Sequence, residues 1–345
     1  MKKLKTAVVG LGRIGWKFHI PHIISHEGFE LCALLDPLQE RVNEGIEEFS
    51  VKGYTDFSKL IENEKLDLIV IASPTPFHAD QTIAAMEKGI DVFLEKPMAP
   101  TLEEADRMIE ASKKLQRKLM VYQPHRTAAE TQAIKYIIEK DIIGPVYMIK
   151  RSISRYQRRS DWQTQKKFGG GMLNNYGAHY IDQLLYVTGS KALDISCHLR
   201  SIATLGDADD VVKAVIVTEN NVILDLDINM ASSQHLTPCI VFGERGTAVL
   251  GRNVKGDRTY NVKYYNKDDL KNLELKTELA AEGRSYANND EIPWKETEVL
   301  LSDFSRINYY DKCYEYYAEG KEPYVRLEQT REVMRVIDTC HKIGW

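Results

Sequence analysis

Lys96 and a few histidines are the side chains whose types and positions could move a proton in a reaction. Lys96 follows the apolar run Asp91-Val92-Phe93-Leu94 and Glu95, and directly precedes Pro97. Proline fixes its own φ and restricts the residue before it, so the ammonium is delivered with little freedom of aim. At the C-terminal end of a strand it could hydrogen-bond a reacting oxygen, its pKa tuned by burial and neighbouring charge. The plainer alternative is a surface lysine after a strand. A histidine, with an unperturbed pKa of about 6.5, suits a general base near neutrality. His78, His125 and His179 are candidates that residue type alone does not rank, since a single histidine is more often structural. A base plus a positive group beside an oxygen is what hydride transfer from an alcohol requires.

Such a reaction needs a hydride acceptor, and residues 5–36 have the pattern of a site for one. Ala7-Val8-Val9 reads as a short buried strand that runs directly into Gly10-Leu11-Gly12-Arg13-Ile14-Gly15. In this G-x-G-x-x-G spacing Gly10 makes the tight turn, Gly12 lets the backbone approach a pyrophosphate, and Gly15 lets helix pack on strand. The following helix N-terminus offers free N–H groups and partial positive charge. Arg13 and Ile14 fall inside this turn. A second apolar run, Leu31 to Leu35, ends at Asp36, about 20 residues beyond the turn, where a carboxylate accepts ribose hydroxyls and repels a 2′-phosphate. NAD is therefore expected over NADP, although Arg41 could reach a 2′-phosphate. The bland reading of Asp36 is a strand-capping aspartate in an ordinary α/β protein.

The elements that must hold these residues change character midway. Helices are expected near His22 after the break at Pro21, then at Arg41–Phe49, Asp56–Asn63, His78–Lys88 and Thr101–Leu115. Thr101 and Glu104 form a capping box on the last. Strands Leu68–Ala72, Asp91–Leu94 and Lys118–Tyr122 alternate with them, which predicts a doubly wound parallel sheet with its site at the strand C-termini. Ser73, Thr75, His78, Glu95, Lys96 and Gln123 lie at or just beyond those ends and are expected to contact the cofactor. After a helix at Thr131–Glu139, strands dominate: Val146–Ser154, Ile195–Ala203, Val211–Thr218, Val222–Asn229, Cys239–Phe242, Thr247–Leu250 and Tyr260–Tyr265. Alternation in Val222–Ile228 predicts a sheet with one covered face and one open face suited to a dimer contact. A helix at Met172–Thr188 interrupts the strands. Residues 266–300 are polar and unassigned, and helices at Leu301–Glu319 and Leu327–Ile343 close the chain. The tyrosines at 309, 310, 314, 316 and 317 read as packing.

Composition narrows the class. A chain of 345 residues can build two domains with their own cores, and 28% charged with 43% hydrophobic residues is ordinary for a globular protein. The net charge of −4 gives no reason to expect nucleic acid or an anionic membrane as partner. No apolar run approaches a membrane span, and the basic start leads into the glycine turn instead of a cleavage site. Cys32, Cys197, Cys239, Cys313 and Cys340 are scattered and never spaced as C-x-x-C, against a disulfide framework or a metal site. They point to reduced thiols in a cytoplasmic protein.

With Gly10–Gly15, the runs Glu95-Lys96-Pro97 and Gly169-Gly170-Gly171-Met172-Leu173-Asn174-Asn175-Tyr176-Gly177-Ala178-His179 make the chain resemble the Gfo/Idh/MocA family. That family is named for glucose–fructose oxidoreductase and inositol dehydrogenase, and the resemblance covers essentially the whole chain. It implies an α/β fold: an N-terminal Rossmann dinucleotide-binding domain over residues 1–122, then an α+β domain over 123–326 with a large, mostly antiparallel, open-faced sheet. Helix 327–345 would pack back on the first domain. The implied activity is NAD(P)-dependent oxidation or reduction of a secondary alcohol on a sugar, inositol or sugar derivative. The implied assembly is a homodimer or homotetramer through the open sheet.

The resemblance selects His179 as the base, sets Glu95 and Lys96 against the nicotinamide half, and makes the Lys96–Pro97 bond cis. Gln123 with His125 and Arg126 would line the nicotinamide and substrate cavity. Trp162 could stack on a sugar ring, while Arg158 and Arg159 on its loop bind a carboxylate or phosphate or are merely solvated. Where the family has an aspartate four residues before the histidine, this chain has Asn175. It could hydrogen-bond the imidazole but not stabilise the imidazolium, implying a less basic His179 or a larger share for Lys96. A catalytically silent sugar or dinucleotide sensor, and redox-neutral chemistry through a transient ketone, are the competing expectations.

Overall fold

The computed structural model describes residues 3–273, 275 and 290–345. Its first sheet contains β1 (Leu4–Val9), β2 (Phe29–Leu35), β3 (Lys52–Tyr54), β4 (Leu68–Ile71), β5 (Asp91–Leu94) and β6 (Leu119–Val121). All pairings are parallel, in the order β3-β2-β1-β4-β5-β6. The strands are apolar on both faces because both are covered. Val9, Ile71 and Leu94 enter one core, and Val8, Val70 and Phe93 the other. Helices α1 (Ile20–Ser25), α2 (Gln39–Phe49), α3 (Phe57–Asn63), α4 (His78–Glu87) and α5 (Leu102–Leu115) connect them. Sequence caps set the starts of two: Asp56 accepts from the Lys59 N–H at 2.9 Å, and Thr101 from the Glu104 N–H at 3.2 Å. The chain reverses direction across the sheet between β1 and β4, where such sheets open a ligand crevice at the strand C-termini.

The expected break at Pro21 does not occur. Residues Gly15–His19 are wound as a π-turn closed by the Ile20 N–H to Gly15 O, and α1 continues directly with Pro21 in its first turn. The wider turn absorbs the missing proline donor.

After α6 (Ala129–Glu139), eight strands among the described residues form the second sheet. They are β7 (Val146–Ser154), β8 (Ala192–Arg200), β9 (Val211–Thr218), β10 (Ile223–Asn229), β11 (Cys239–Gly243), β12 (Gly246–Arg252), β13 (Arg258–Tyr264) and β14 (Lys295–Leu300). Their order is β14-β13-β12-β11-β7-β10-β9-β8, antiparallel except for β7 with β10. Ile149, Ile216, Leu226 and Val241 bury one face. The other carries ion pairs such as Lys150–Asp225 at 3.6 Å, among half-buried Val215, Val217, Ile240 and Phe242. Between β7 and β8 a second π-turn, Leu173–Gly177, feeds α7 (Ala178–Thr188).

The last two helices join the layers. The expected helix at Leu301–Glu319 begins later, as α8 (Tyr309–Tyr317), because Asn308 caps it by accepting the Tyr310 N–H at 3.0 Å. Its tyrosines cover the first sheet: Tyr309 O–H donates to Val121 O at 3.0 Å, and Tyr310 packs against Phe93. Helix α9 (Leu327–Ile343) bonds to both domains, with Arg331 paired to Asp106 of α5 at 2.6 Å and Leu199 N–H of β8 reaching Gly344 O at 2.7 Å. β14 emerges from the unassigned polar stretch as an edge strand with only Val299 buried, so it leaves no apolar pattern to read. Residues 274 and 276–289 of that stretch lie outside the described residues.

Candidate active site

The glycine turn shows which of its glycines serve packing. A Cβ on Gly10, at φ +91°, would lie 2.6 Å from Ala72 O, and one on Gly15 would lie 1.9 Å from Gly10 O. A Cβ on Gly12 would meet nothing within 4 Å. Gly12 therefore faces open space at the mouth of the crevice, a cradle that a side chain would fill. Arg13 and Ile14 follow it into the π-turn. Asp36 locks the turn to β2, its carboxylate accepting the Leu11 N–H at 2.8 Å and the Leu38 N–H at 3.0 Å. Arg41 joins it at 3.3 Å from a half-exposed position. A carboxylate offers about four acceptor positions, so one is left for a ribose hydroxyl.

The first and second domains meet at Lys96. The Lys96–Pro97 bond is cis. The ammonium donates to the Asn175 carbonyl at 3.0 Å and reaches Asn175 Oδ1 at 3.4 Å, both neutral oxygens from the second domain. Burial lowers its pKa from 10.5 to about 8, with Glu95 opposing and Arg13 adding to the fall. His179 stacks on His125 with ring centroids 4.3 Å apart and 5° between planes. Desolvation, then the charge of Lys96, pushes His179 well below its usual range, and burial with Arg151 lowers His125 to about 4. Both imidazoles are therefore neutral beside the one ammonium. His179 Nδ1 is buried without a hydrogen-bond partner among the described residues, and so is Gln123 Oε1. Two orphaned polar atoms, one of them on the imidazole that feels the charge of Lys96, suit an incoming polar ligand. Thr75 is buried where the glycine run crosses it, a Cβ on Gly169 coming 3.5 Å from Thr75 Cβ.

Relatives bear on what this crevice holds. Residues 4–123 match a profile described as oxidoreductase family, NAD-binding Rossmann fold, and residues 131–249 match the GFO/IDH/MocA C-terminal domain. The chain belongs to the Gfo/Idh/MocA family. Its first domain is an NAD-binding Rossmann domain. Over 207 residues it is 29% identical to D-glucoside 3-dehydrogenase of Escherichia coli, covering 59% of each chain. Over 217 residues it is 28% identical to myo-inositol 2-dehydrogenase of Thermotoga maritima, covering 62% of this chain and 64% of that one. The chain thus spans about three-fifths of the length of these curated relatives. An NAD-binding protein from Listeria innocua shares the fold with a TM-score of 0.84 at 21% identity, over 100% of this chain and 98% of that one.

Against the Gfo/Idh/MocA pattern, the structure departs from two expectations. Asn175 makes no hydrogen bond to His179 Nδ1, which has no partner among the described residues. Asn175, on the π-turn Leu173–Gly177, instead faces Lys96 and, at 3.4 Å, Gln163. Arg126 is not free for substrate: its guanidinium is 1% exposed and grips Asp182 at 2.6 and 2.8 Å and Gln329 at 2.8 Å. His78 lies between two carbonyls, Nε2 2.9 Å from Ser73 O and Nδ1 3.1 Å from Pro97 O; burial lowers its pKa, and the single N–H of the neutral ring donates to one of them. Ser73 Oγ donates to Gln81 at 2.6 Å. Trp162 is 41% exposed on a short turn capped by Asp161, next to the Gln163 that reaches Asn175.

Two residues here escape sequence reasoning. Tyr310 O–H donates to His19 Nδ1 at 2.7 Å, and His19 Nε2–H donates to Glu95 Oε1 at 2.9 Å. Glu95 Oε2 in turn accepts the Lys96 N–H at 3.0 Å. This buried chain fixes the carboxylate beside Lys96 and sets the His19 tautomer. The weak signal available was the place of His19, on the helix that opens at Gly15.

Proposed function

We propose that the protein is an NAD-dependent dehydrogenase or reductase acting on a secondary alcohol of a sugar, inositol or sugar derivative. The observation that carries this reading is the facing pair of one buried ammonium and one neutral, unpartnered imidazole, at the C-terminal edge of a dinucleotide-binding sheet. Bound NAD supplies the hydride acceptor; the rest is done by side chains. Lys96 donates a hydrogen bond to the substrate oxygen and stabilises negative charge as the proton leaves. His179, held neutral by its surroundings, accepts that proton. His125, stacked on it, keeps the ring in plane. Glu95, Gln123 and the Gly12 turn hold the cofactor, and the Asp36 carboxylate favours a free 2′-hydroxyl. The names of the glucoside and inositol dehydrogenase relatives support the substrate class.

The half-buried apolar residues on the open face of the second sheet support assembly as a homodimer or homotetramer through that face. All five cysteines are free, which supports a reducing, cytoplasmic setting. No helix among the described residues is long and apolar enough to cross a membrane. The test is reduction of NAD, and separately of NADP, against a panel of inositols, aldoses and uronates. Turnover with a sugar that vanishes in His179→Ala supports the reading, whereas cofactor binding with no turnover of any sugar moves the protein to a sensor.

A further inference from the structure

The last helix reaches the reaction centre through one buried amide. Asn174, 8% exposed, sits on the π-turn one residue before Asn175. Its Nδ2 donates to Gly169 O and to Gly170 O, both at 3.1 Å. Those two carbonyls use both amide hydrogens, which turns Oδ1 the other way as an acceptor. There it meets Nε2 of His341, on α9, at 3.0 Å. Burial lowers the pKa of His341, with Asp338 opposing and Lys166 adding to the fall, so the ring is neutral and carries a single N–H. The acceptor in front of Nε2 places that hydrogen on Nε2.

His341 is held from both domains. Gly344 O, just beyond it, accepts the Leu199 N–H of β8 at 2.7 Å, and the Lys166 ammonium lies 3.2 Å from the centroid of the Trp345 ring. At the other end of α9, Arg331 pairs with Asp106 of α5 at 2.6 Å. What His341 holds in turn is the loop that closes on the crevice. Gly171 N–H donates to Gln163 O at 2.9 Å, Asn175 Nδ2 reaches Gln163 Oε1 at 3.4 Å, and Gly169 packs against Thr75 of the first domain. The next residue along from Asn174 receives Lys96, with Nζ 3.0 Å from Asn175 O. Two hydrogen bonds and one peptide unit therefore join His341 Nε2 to the Lys96 ammonium. We propose that His341 is a positioning residue for the reaction, whose Nε2–H acts through Asn174 to fix the Asn175 oxygens that aim Lys96 at the substrate oxygen. This rests on the oxidoreductase reading and adds to it a residue that touches neither substrate nor cofactor. A displacement of about 1 Å at the reacting oxygen is costly in rate, whereas the Gly12 turn and Asp36 keep their geometry in the other domain.

The test compares wild type with His341→Phe, which keeps a ring and removes the N–H, and with His341→Gln, whose amide returns a donor near the Nε2 position. Three quantities are read: melting temperature, kinetics with NAD and whichever panel sugar is turned over, and the pH midpoint at which Lys96 reacts with acetic anhydride, followed on its peptide by mass spectrometry. His341→Phe should lower kcat at least about tenfold with NAD affinity unchanged. It should also move the Lys96 midpoint upward from about 8, as water reaches an ammonium released from Asn175. His341→Gln should recover most of both. Asn174→Ala, which removes the acceptor and both donors, replaces His341→Phe if that variant does not fold, and must give the same two changes. A Lys96 midpoint that stays in place in His341→Phe would overturn the proposal whether or not the melting temperature falls, and so would an unchanged kcat. A His341→Gln protein as stable as wild type but as impaired as His341→Phe would also overturn it. If wild type turns over no sugar, a midpoint that moves in His341→Phe and returns in His341→Gln would uphold the positioning of Lys96 and sink the oxidoreductase reading instead.

Discussion

Replacing Lys96 by methionine should stabilise the protein while abolishing its activity. The ammonium hydrogen-bonds only neutral oxygens, those of Asn175, and burial outweighs the attraction of Glu95 in its fall from 10.5 to about 8. The difference, 10.5 − 8, corresponds to about 3 kcal/mol less favourable protonation in the folded state than in the unfolded one. Methionine fills a similar volume but gives up hydrogen bonds to Asn175, worth about 1 kcal/mol, and partial solvent access trims the rest. A net gain of about 1–2 kcal/mol at neutral pH is expected. The sign follows from linkage. Folding lowers this pKa, so the unfolded chain binds the proton more readily, and the wild type gains stability as pH rises from about 8 towards 10.5. The advantage of Lys96→Met must therefore shrink across that window. Urea denaturation of cofactor-free wild type and variant, at about pH 7 and about pH 10, measures it directly. A variant less stable than wild type at neutral pH, or a gap that does not change with pH, would refute the claim that Lys96 is held as a strained ammonium.

Other consequences follow from the same geometry. Gly12→Ala should fold normally but lose NAD binding at least about tenfold, whereas Gly15→Ala, whose methyl collides with Gly10 O, should lose roughly 3 kcal/mol of stability or fail to fold; melting curves and dinucleotide titration separate the two. Arg126→Ala should cost about 3–5 kcal/mol, because it strands the fully buried Asp182, and Asp182→Asn should cost less; equal losses would mean the pair is not the unit. Tyr310→Phe should cost about 1–3 kcal/mol and alter the pH profile of kcat/KM by freeing the His19 tautomer, and an unchanged profile would make Tyr310 packing alone. In the oxidation direction kcat/KM of the wild type should fall as pH rises through about 8, where Lys96 loses its proton; a flat profile there would show that the ammonium is not needed.

The parts of this account that were readable from sequence are those whose causes are local. The turn at Gly10–Gly15, the Thr101 cap and the alternation of β9 and β10 depend on residues within a few positions of one another. The π-turn at Leu173–Gly177 was hidden, because a change from i→i+4 to i→i+5 bonding has no residue-type signature, and the turn of Asn175 towards Lys96 depends on a partner 79 positions away. Arg126 was assigned to substrate because its actual partner, Asp182, becomes a neighbour only in the fold. Arg126 and Asp182 are 56 positions apart. His19 was invisible for the same reason, its partners lying 76 and 291 positions away. β14 was missed because an edge strand with one buried residue carries no periodicity.

The central claim is that Lys96 and His179 form a hydride-transfer centre served by NAD. Its most direct test is the appearance of reduced-nicotinamide absorbance when the protein is mixed with NAD and a panel of anionic and neutral sugars, in wild type and His179→Ala. The account predicts signal from at least one sugar in the wild type and its loss in the variant, with NAD binding unchanged. An undiminished signal in His179→Ala would contradict it.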